Sequence, residues 1–185
     1  RGTYRAQRLV LTAGAWMPQL LASYRGIMQP ERQVVVWMQP RTPAYFQVDT
    51  FPVFNMAVEE GQFYGLPVYS IPGFKLARWH HLEQTVDDPA ALDRACHPED
   101  EAIVRACVRR YFPEADGPTL SMQTCLFTNT PDTHCVLDAH PECPQVFLAG
   151  GFSGHGFKLC SVVGEIMADL AECGQTRHDI ALFRA

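Results

Sequence analysis

Apolar positions along this chain recur with two different periods. In the first part they come as short runs: Leu9-Val10-Leu11, then residues 33–39 with Val34, Val35, Val36 and Trp37, then 45–48, 53–57, 62–67 and 75–81. Gly, Pro or acidic residues separate them. Runs of this length, rich in β-branched and aromatic side chains, predict a meander of antiparallel strands with one face on a core. Leu9-Val10-Leu11 predicts a short buried strand closing on Gly14, and residues 18–24 predict a helix.

The second period is helical. After Pro98-Glu99-Asp100, the positions Ile103, Val104, Cys107, Val108 and Tyr111 fall on one side of a helix and Arg105, Arg109 and Arg110 on the other. Strands follow at 122–127 and 135–137, flanking the turn Asn129-Thr130-Pro131-Asp132, and at 146–149. A final helix is predicted over 157–172, capped near Gly174. Short strands with a few helices make the class α+β.

Composition narrows the functional classes. The 185 residues are 47% apolar, enough for a sizeable core, and the net charge of −5 offers no footprint for nucleic acid or an anionic membrane. No apolar run approaches the ~20 residues needed to cross a bilayer. Seven cysteines at irregular spacing do not form a disulfide framework and fit a reducing compartment, so the expected location is cytoplasmic. Cys96, His97, His134, Cys135, His140 and Cys143 lack the paired knuckles of structural zinc, so no metal site is expected.

The densest chemistry lies in Gly150-Gly151-Phe152-Ser153-Gly154-His155-Gly156-Phe157-Lys158, where four glycines, an imidazole and an amine sit between a strand and a helix. Glycines let backbone N–H groups approach a flat or anionic ligand, and the start of the following helix favours negative charge. Upstream stand Cys125-Leu126-Phe127-Thr128-Asn129-Thr130-Pro131-Asp132 and Asp138. Together with Ala13-Gly14-Ala15-Trp16, Tyr64-Gly65-Leu66-Pro67, Lys75-Leu76 and His178-Asp179-Ile180, these segments resemble the monomeric sarcosine oxidase and N-methyltryptophan oxidase family over essentially the whole chain. Phe127 occupies the position usually held by tyrosine. The Gly-x-Gly-x-x-Gly dinucleotide fingerprint is absent, so the chain reads as the carboxy-terminal half of such an enzyme.

The resemblance implies an antiparallel (mixed) sheet substrate domain plus the carboxy-terminal strands and helix of an FAD-binding domain whose Rossmann part is absent. Residues 1–30 would return to the FAD-binding domain, 31–124 would form the substrate domain, and 125–185 would be the flavin-contacting segment and final helix. It implies FAD attached through Cys125, with Gly14, Phe152, Gly154, His155, Gly156, Phe157 and Lys158 around the cofactor. Tyr64, Phe127, His155 and Lys158 would meet the substrate, and Lys75, His80 and Lys158 would be catalytic. His80 is preferred to His81, because the segment holds one residue more than the commonest pattern. Read singly, each has an ordinary alternative: Cys125 as an inert buried thiol, Lys75 and Lys158 as surface lysines, Tyr64 as core packing, His155 as a loop residue bonded to backbone.

The activity implied is oxidation of a secondary (N-methyl) amino acid to an imine, with oxygen reduced to hydrogen peroxide. The expected partners are that amino acid, oxygen and a complementary amino-terminal chain carrying the fingerprint, without which the 185 residues are expected to be inactive. Two alternatives remain: an oxidase of a cyclic imino acid of the pipecolate or proline type, and a catalytically inert fragment acting as a binding or assembly module.

Overall fold

The computed structural model describes residues 2–184. In chain order its elements are β1 (Leu9–Leu11), α1 (Met17–Leu20), β2 (Gln29–Met38), β3 (Phe54–Val58), β4 (Gly61–Leu66), β5 (Phe74–Arg78), α2 (Pro98–Tyr111), β6 (Thr119–Asn129), β7 (Val136–His140), β8 (Cys143–Gly150) and α3 (Cys160–Cys173). They fall into two units. The first takes the described residues up to Pro30, Val86–Ala90 and those from Phe127 onward; the second takes Glu31–Thr85 and Ala91–Leu126.

In the first unit a three-stranded sheet runs β1-β8-β7, with β1 parallel and β7 antiparallel to β8. The end of β8 is apolar at successive positions because both its faces are covered. Phe147 and Ala149 pack with Ile166, Met167 and Leu170 of α3, while Leu148 packs with Met17 and Met28. The last turn of α3 closes on Gly174 at φ 73°, where a side chain would be strained, and the Arg8 guanidinium donates to the Leu170 carbonyl at 3.3 Å.

The second unit carries a five-stranded sheet of order β3-β4-β5-β2-β6, antiparallel along β3-β4-β5-β2. One face, with Val34, Val36, Met38, Phe74 and Leu76, packs under Val104 and Val108 of α2. The helix begins where its sequence predicts, the His97 backbone N–H donating to the Asp100 carboxylate at 2.8 Å. Its first turn also supplies the deepest polar contact of the unit. Arg32 meets Asp100 through two hydrogen bonds of 2.7 and 2.8 Å, with side chains 5% and 0% exposed, and the ring of His81 adds a bond of 3.0 Å from Nε2.

Several sequence expectations are corrected. β1 is an edge strand with Leu9 and Val10 exposed, not buried. Residues 45–48 hold no strand: Pro43–Phe46 form a 3-10 turn, because Pro43 presets φ and leaves no ladder donor. The helix predicted over 18–24 is broken by extended Leu21 into α1 and the 3-10 turn Ala22–Tyr24. The final helix opens as a 3-10 turn, Phe157–Leu159, before α3. No helix among the described residues is long and apolar enough to cross a membrane.

Candidate active site

In the second unit, strand register decides which side chains share the sheet face opposite α2. Trp37 on β2 lies directly across from Lys75 on β5, and Tyr64 on β4 lies across from Ala77, two residues further along β5. Alternation therefore places Trp37, Lys75 and Tyr64 on one face. The Lys75 ammonium stands 5.1 Å from the centre of the Trp37 ring. Cys125 on β6 is close enough for its thiol to interact electrostatically with both Lys75 and Tyr64. Three residues singled out from the sequence thus gather within one unit. Trp37, which the sequence reading assigned only to a strand, is the fourth.

Burial pushes the Cys125 thiol above its ordinary pKa, and the nearby Lys75 cation opposes that rise. Burial likewise drives the Tyr64 phenol upward, so it stays protonated and can donate a hydrogen bond at neutral pH. Lys75 has neither a carboxylate nor a hydrogen-bond partner among the described residues, which leaves a half-buried cation neutralised by nothing in its own unit.

The tight turn after β5 carries the two histidines. His80, at φ 55°, presents its Nδ1 to Glu31 at 2.8 Å, and the Gln33 amide donates to the other Glu31 oxygen at 2.7 Å. His81 is wholly buried. It serves the Arg32–Asp100 pair, and its Nδ1 has no hydrogen-bond partner. His80, the residue preferred from the sequence, is the one that presents surface. Trp79, expected in the core, is only half-buried and stacks on His80 with ring centres 5.8 Å apart.

In the first unit the glycine loop is sewn to the turn before β7. The Ser153 N–H donates to the Thr128 carbonyl at 3.0 Å, the Ser153 hydroxyl accepts from the Thr130 N–H at 3.1 Å, and the His155 Nε2–H donates to the Thr133 carbonyl at 3.1 Å. His155 is thereby oriented by backbone. Phe127 lies under the loop: a Cβ on Gly154, whose φ is 83°, would stand 2.3 Å from its ring. Gly156 is similarly filled by the Phe152 ring. Gly14 begins a 3-10 turn at φ 55° with open space around it, while Phe157 and Lys158 are exposed. Thr128, Thr130 and Ser153 lie within the motifs quoted from the sequence but were given no role there, although the buried Ser153 at φ 48° is what fixes the loop.

Gly154→Ala combines that clash with a left-handed backbone, so it is expected to destabilise the first unit by on the order of 2 kcal/mol. Urea unfolding of the full-length protein checks this, and a loss under about half of that would show that Phe127 moves aside freely.

The first unit is a three-stranded mixed sheet backed by a helix, and the second is a five-stranded sheet that carries a cation and a thiol. The chain belongs to the FAD dependent oxidoreductase family, whose model matches residues 1–170. Within that family it is 41% identical over 187 residues to the monomeric sarcosine oxidase of Bacillus sp. (strain NS-129), covering 99% of this chain and 48% of that protein. It is 31% identical to the N-methyl-L-tryptophan oxidase of Yersinia pestis (strain Pestoides F), over 98% of this chain and 48% of the relative. The chain thus spans about half the length of the curated relatives it matches. Its fold is shared with NikD, described as an unusual amino acid oxidase essential for nikkomycin biosynthesis, at a TM-score of 0.75 and 21% identity over 99% of this chain and 49% of that one.

A flavin suits the donor set on the Lys75 face. An uncompensated ammonium there can meet the negative charge of a reduced ring, the Tyr64 hydroxyl can donate, and the Cys125 thiol is within electrostatic reach of the same cation.

Proposed function

We propose that the protein containing this chain oxidises the N-methyl group of a secondary amino acid to an imine, which water hydrolyses to a primary amine and formaldehyde while oxygen becomes hydrogen peroxide. Bound FAD supplies the two-electron acceptor for the carbon–hydrogen bond and the reductant for oxygen. The observation that carries the reading is that Lys75 and Tyr64 share one sheet face, with Cys125 within electrostatic reach of both, in a family member.

In this reading Cys125 is the covalent tether, its thiolate favoured by the Lys75 charge. Lys75 stabilises the anionic oxygen species formed by the first electron transfer. Tyr64 donates to the bound amino acid. Lys158, which has no partner among the described residues, provides the cation for the substrate carboxylate. His155, held by the Thr133 carbonyl, and His80, held by Glu31, orient the amine and shape the polarity around it. Phe127 removes a phenolic hydroxyl from the pocket, which favours a less polar N-substituent than a tyrosine would. The remaining half of the fold would bring the dinucleotide fingerprint, and the 185 residues alone are expected not to turn over.

The test is made on the full-length protein. Its mass should exceed that of the polypeptide by one FAD and its yellow colour should survive denaturation, both being lost in Cys125→Ser. Peroxide production should be faster with sarcosine or N-methyltryptophan than with pipecolate or proline. A protein that contains no flavin and makes no peroxide with any of these amines would refute the proposal.

A further inference from the structure

We infer that Trp37 is a positioning residue for the oxygen reaction, holding the Lys75 ammonium in place through its indole face. The inference rests on the role proposed for Lys75 and adds to it a residue that neither motif nor spacing singles out.

The argument begins with what a half-buried lysine needs. A lysine side chain has four rotatable bonds and a strongly hydrated ammonium, so it stays fixed near a sheet only if something replaces part of its hydration. The usual device is a carboxylate. Lys75 has none among the described residues, although this chain pairs Arg32, Arg41, Arg105, Arg109, Arg110 and Arg177 with acids. Its partner is instead an aromatic face. Trp37 is 6% exposed, sits in direct register with Lys75 across β2 and β5, and keeps the ammonium 5.1 Å from the ring centre.

The difference has a chemical consequence. A carboxylate would cancel the positive charge, whereas a ring quadrupole attracts the cation without neutralising it. Dioxygen takes two electrons and one proton from the reduced flavin and a second proton from solvent to give hydrogen peroxide, and the first electron makes superoxide, an anion. A cation that is held but not neutralised stabilises that charge at its full value. Trp37 is itself fixed: its neighbours Val36 and Met38 are wholly buried in the core under α2, which anchors the strand that carries it.

The test uses the full-length flavoprotein with Trp37→Leu, Trp37→Phe and Lys75→Met. Ring stacking should shift the ε-CH2 proton resonances of Lys75 upfield in lysine-labelled protein, assigned by their absence in Lys75→Met. The shift should vanish in Trp37→Leu and persist in Trp37→Phe. The rate constant for reaction of the reduced protein with oxygen should fall about tenfold in Trp37→Leu, the loss expected for one desolvated cation–π contact, and under threefold in Trp37→Phe. The rate of reduction by the amine should hold steady.

An unshifted Lys75 resonance in the parent protein overturns the inference. So does a Trp37→Leu protein in which both half-reactions fall by the same factor, since that marks structural damage alone. If Lys75→Met slows the oxygen reaction and Trp37→Leu does not, Trp37 has no such role and the reading of Lys75 stands. If Lys75→Met has no effect, the reading of Lys75 itself fails. Should Trp37→Leu fail to fold, Trp37→Phe and Trp37→His decide the matter, the shift and the oxygen rate being required to change together.

Discussion

Asp100→Asn is expected to destabilise the second unit by about 3–5 kcal/mol, the loss typical of removing one partner from a buried ion pair. The Arg32 guanidinium would keep its backbone acceptors, the Asp93 and Ala95 carbonyls, but would lose the one carboxylate that pairs with it among the described residues. Asparagine has one oxygen for the two that Asp100 uses: if it keeps the one facing Arg32 Nη1 and His81 Nε2, its NH2 confronts the Arg32 Nη2 and His97 backbone donors in a wholly buried place. Arg32→Leu combined with Asp100→Leu should cost far less, because no charge is then stranded.

Acid should have a related effect. Burial by itself would raise the Asp100 pKa, but the hydrogen bonds from Arg32, the His97 backbone N–H and His81 hold it down to about 2, against an ordinary value of 3.8. Since the folded form binds its proton less readily than the unfolded form, the stabilisation is complete above the ordinary value and is lost as pH falls through the folded one. This contribution of roughly 2 kcal/mol therefore disappears between about pH 4 and pH 2. His81 acts in the same direction at higher pH. Burial lowers its pKa, so the folded state resists protonation and stability begins to decline once pH drops below the ordinary histidine value of 6.5. Denaturant midpoints at pH 7, 5 and 3 should fall in that order, and the lowest step should flatten in Asp100→Asn. A variant within 1 kcal/mol of its parent at pH 7 would show that solvent reaches Arg32.

How much of this was legible in the sequence depended on whether local pattern or distant partners decided the outcome. The α2 helix was visible because its apolar period, acidic first turn and Pro98 all agree, and the β3–β4–β5 meander because each strand is bounded by Gly or Pro. The segment 45–48 failed because its aromatic content suggests a strand, whereas Pro43 and the packing of Phe46 on Phe51 and Phe74 produce a turn. Leu9-Val10-Leu11 carries the composition of a buried strand, but among the described residues no strand pairs with its outer edge. Among the candidate residues, the glycine loop of the first unit and Cys125 of the second stood out by composition and by family likeness. The residues that hold the candidate residues in place did not: Trp37 reads as an ordinary strand residue, and Glu31, Ser153 and Thr130 act through contacts made 23 to 49 positions away. Register, which no local window contains, is what aligns Trp37 with Lys75.

Lys75→Met should produce the largest functional change, slowing reaction of the reduced full-length protein with oxygen by on the order of 100-fold. Removing one preorganised charge from beside a developing anion costs about 2.7–4 kcal/mol in water-excluded sites, and the partial exposure of Lys75 puts the expectation at the lower end. Lys75→Arg should retain most of the rate, because a guanidinium still stacks on an indole and keeps its charge. A second consequence separates charge from shape. The thiol of Cys125 is already raised by burial, and the Lys75 cation is the group that opposes this, so Lys75→Met should raise it further and slow covalent flavin attachment at neutral pH. Raising the pH during attachment should restore the rate in Lys75→Met, since more thiolate then forms without the cation. Mixing anaerobically reduced protein with oxygen and following flavin absorbance gives the first quantity, and mass spectra taken during incorporation give the second. An oxygen reaction slowed less than threefold, with attachment unchanged, would mean that the ammonium above Trp37 serves the sheet rather than the chemistry.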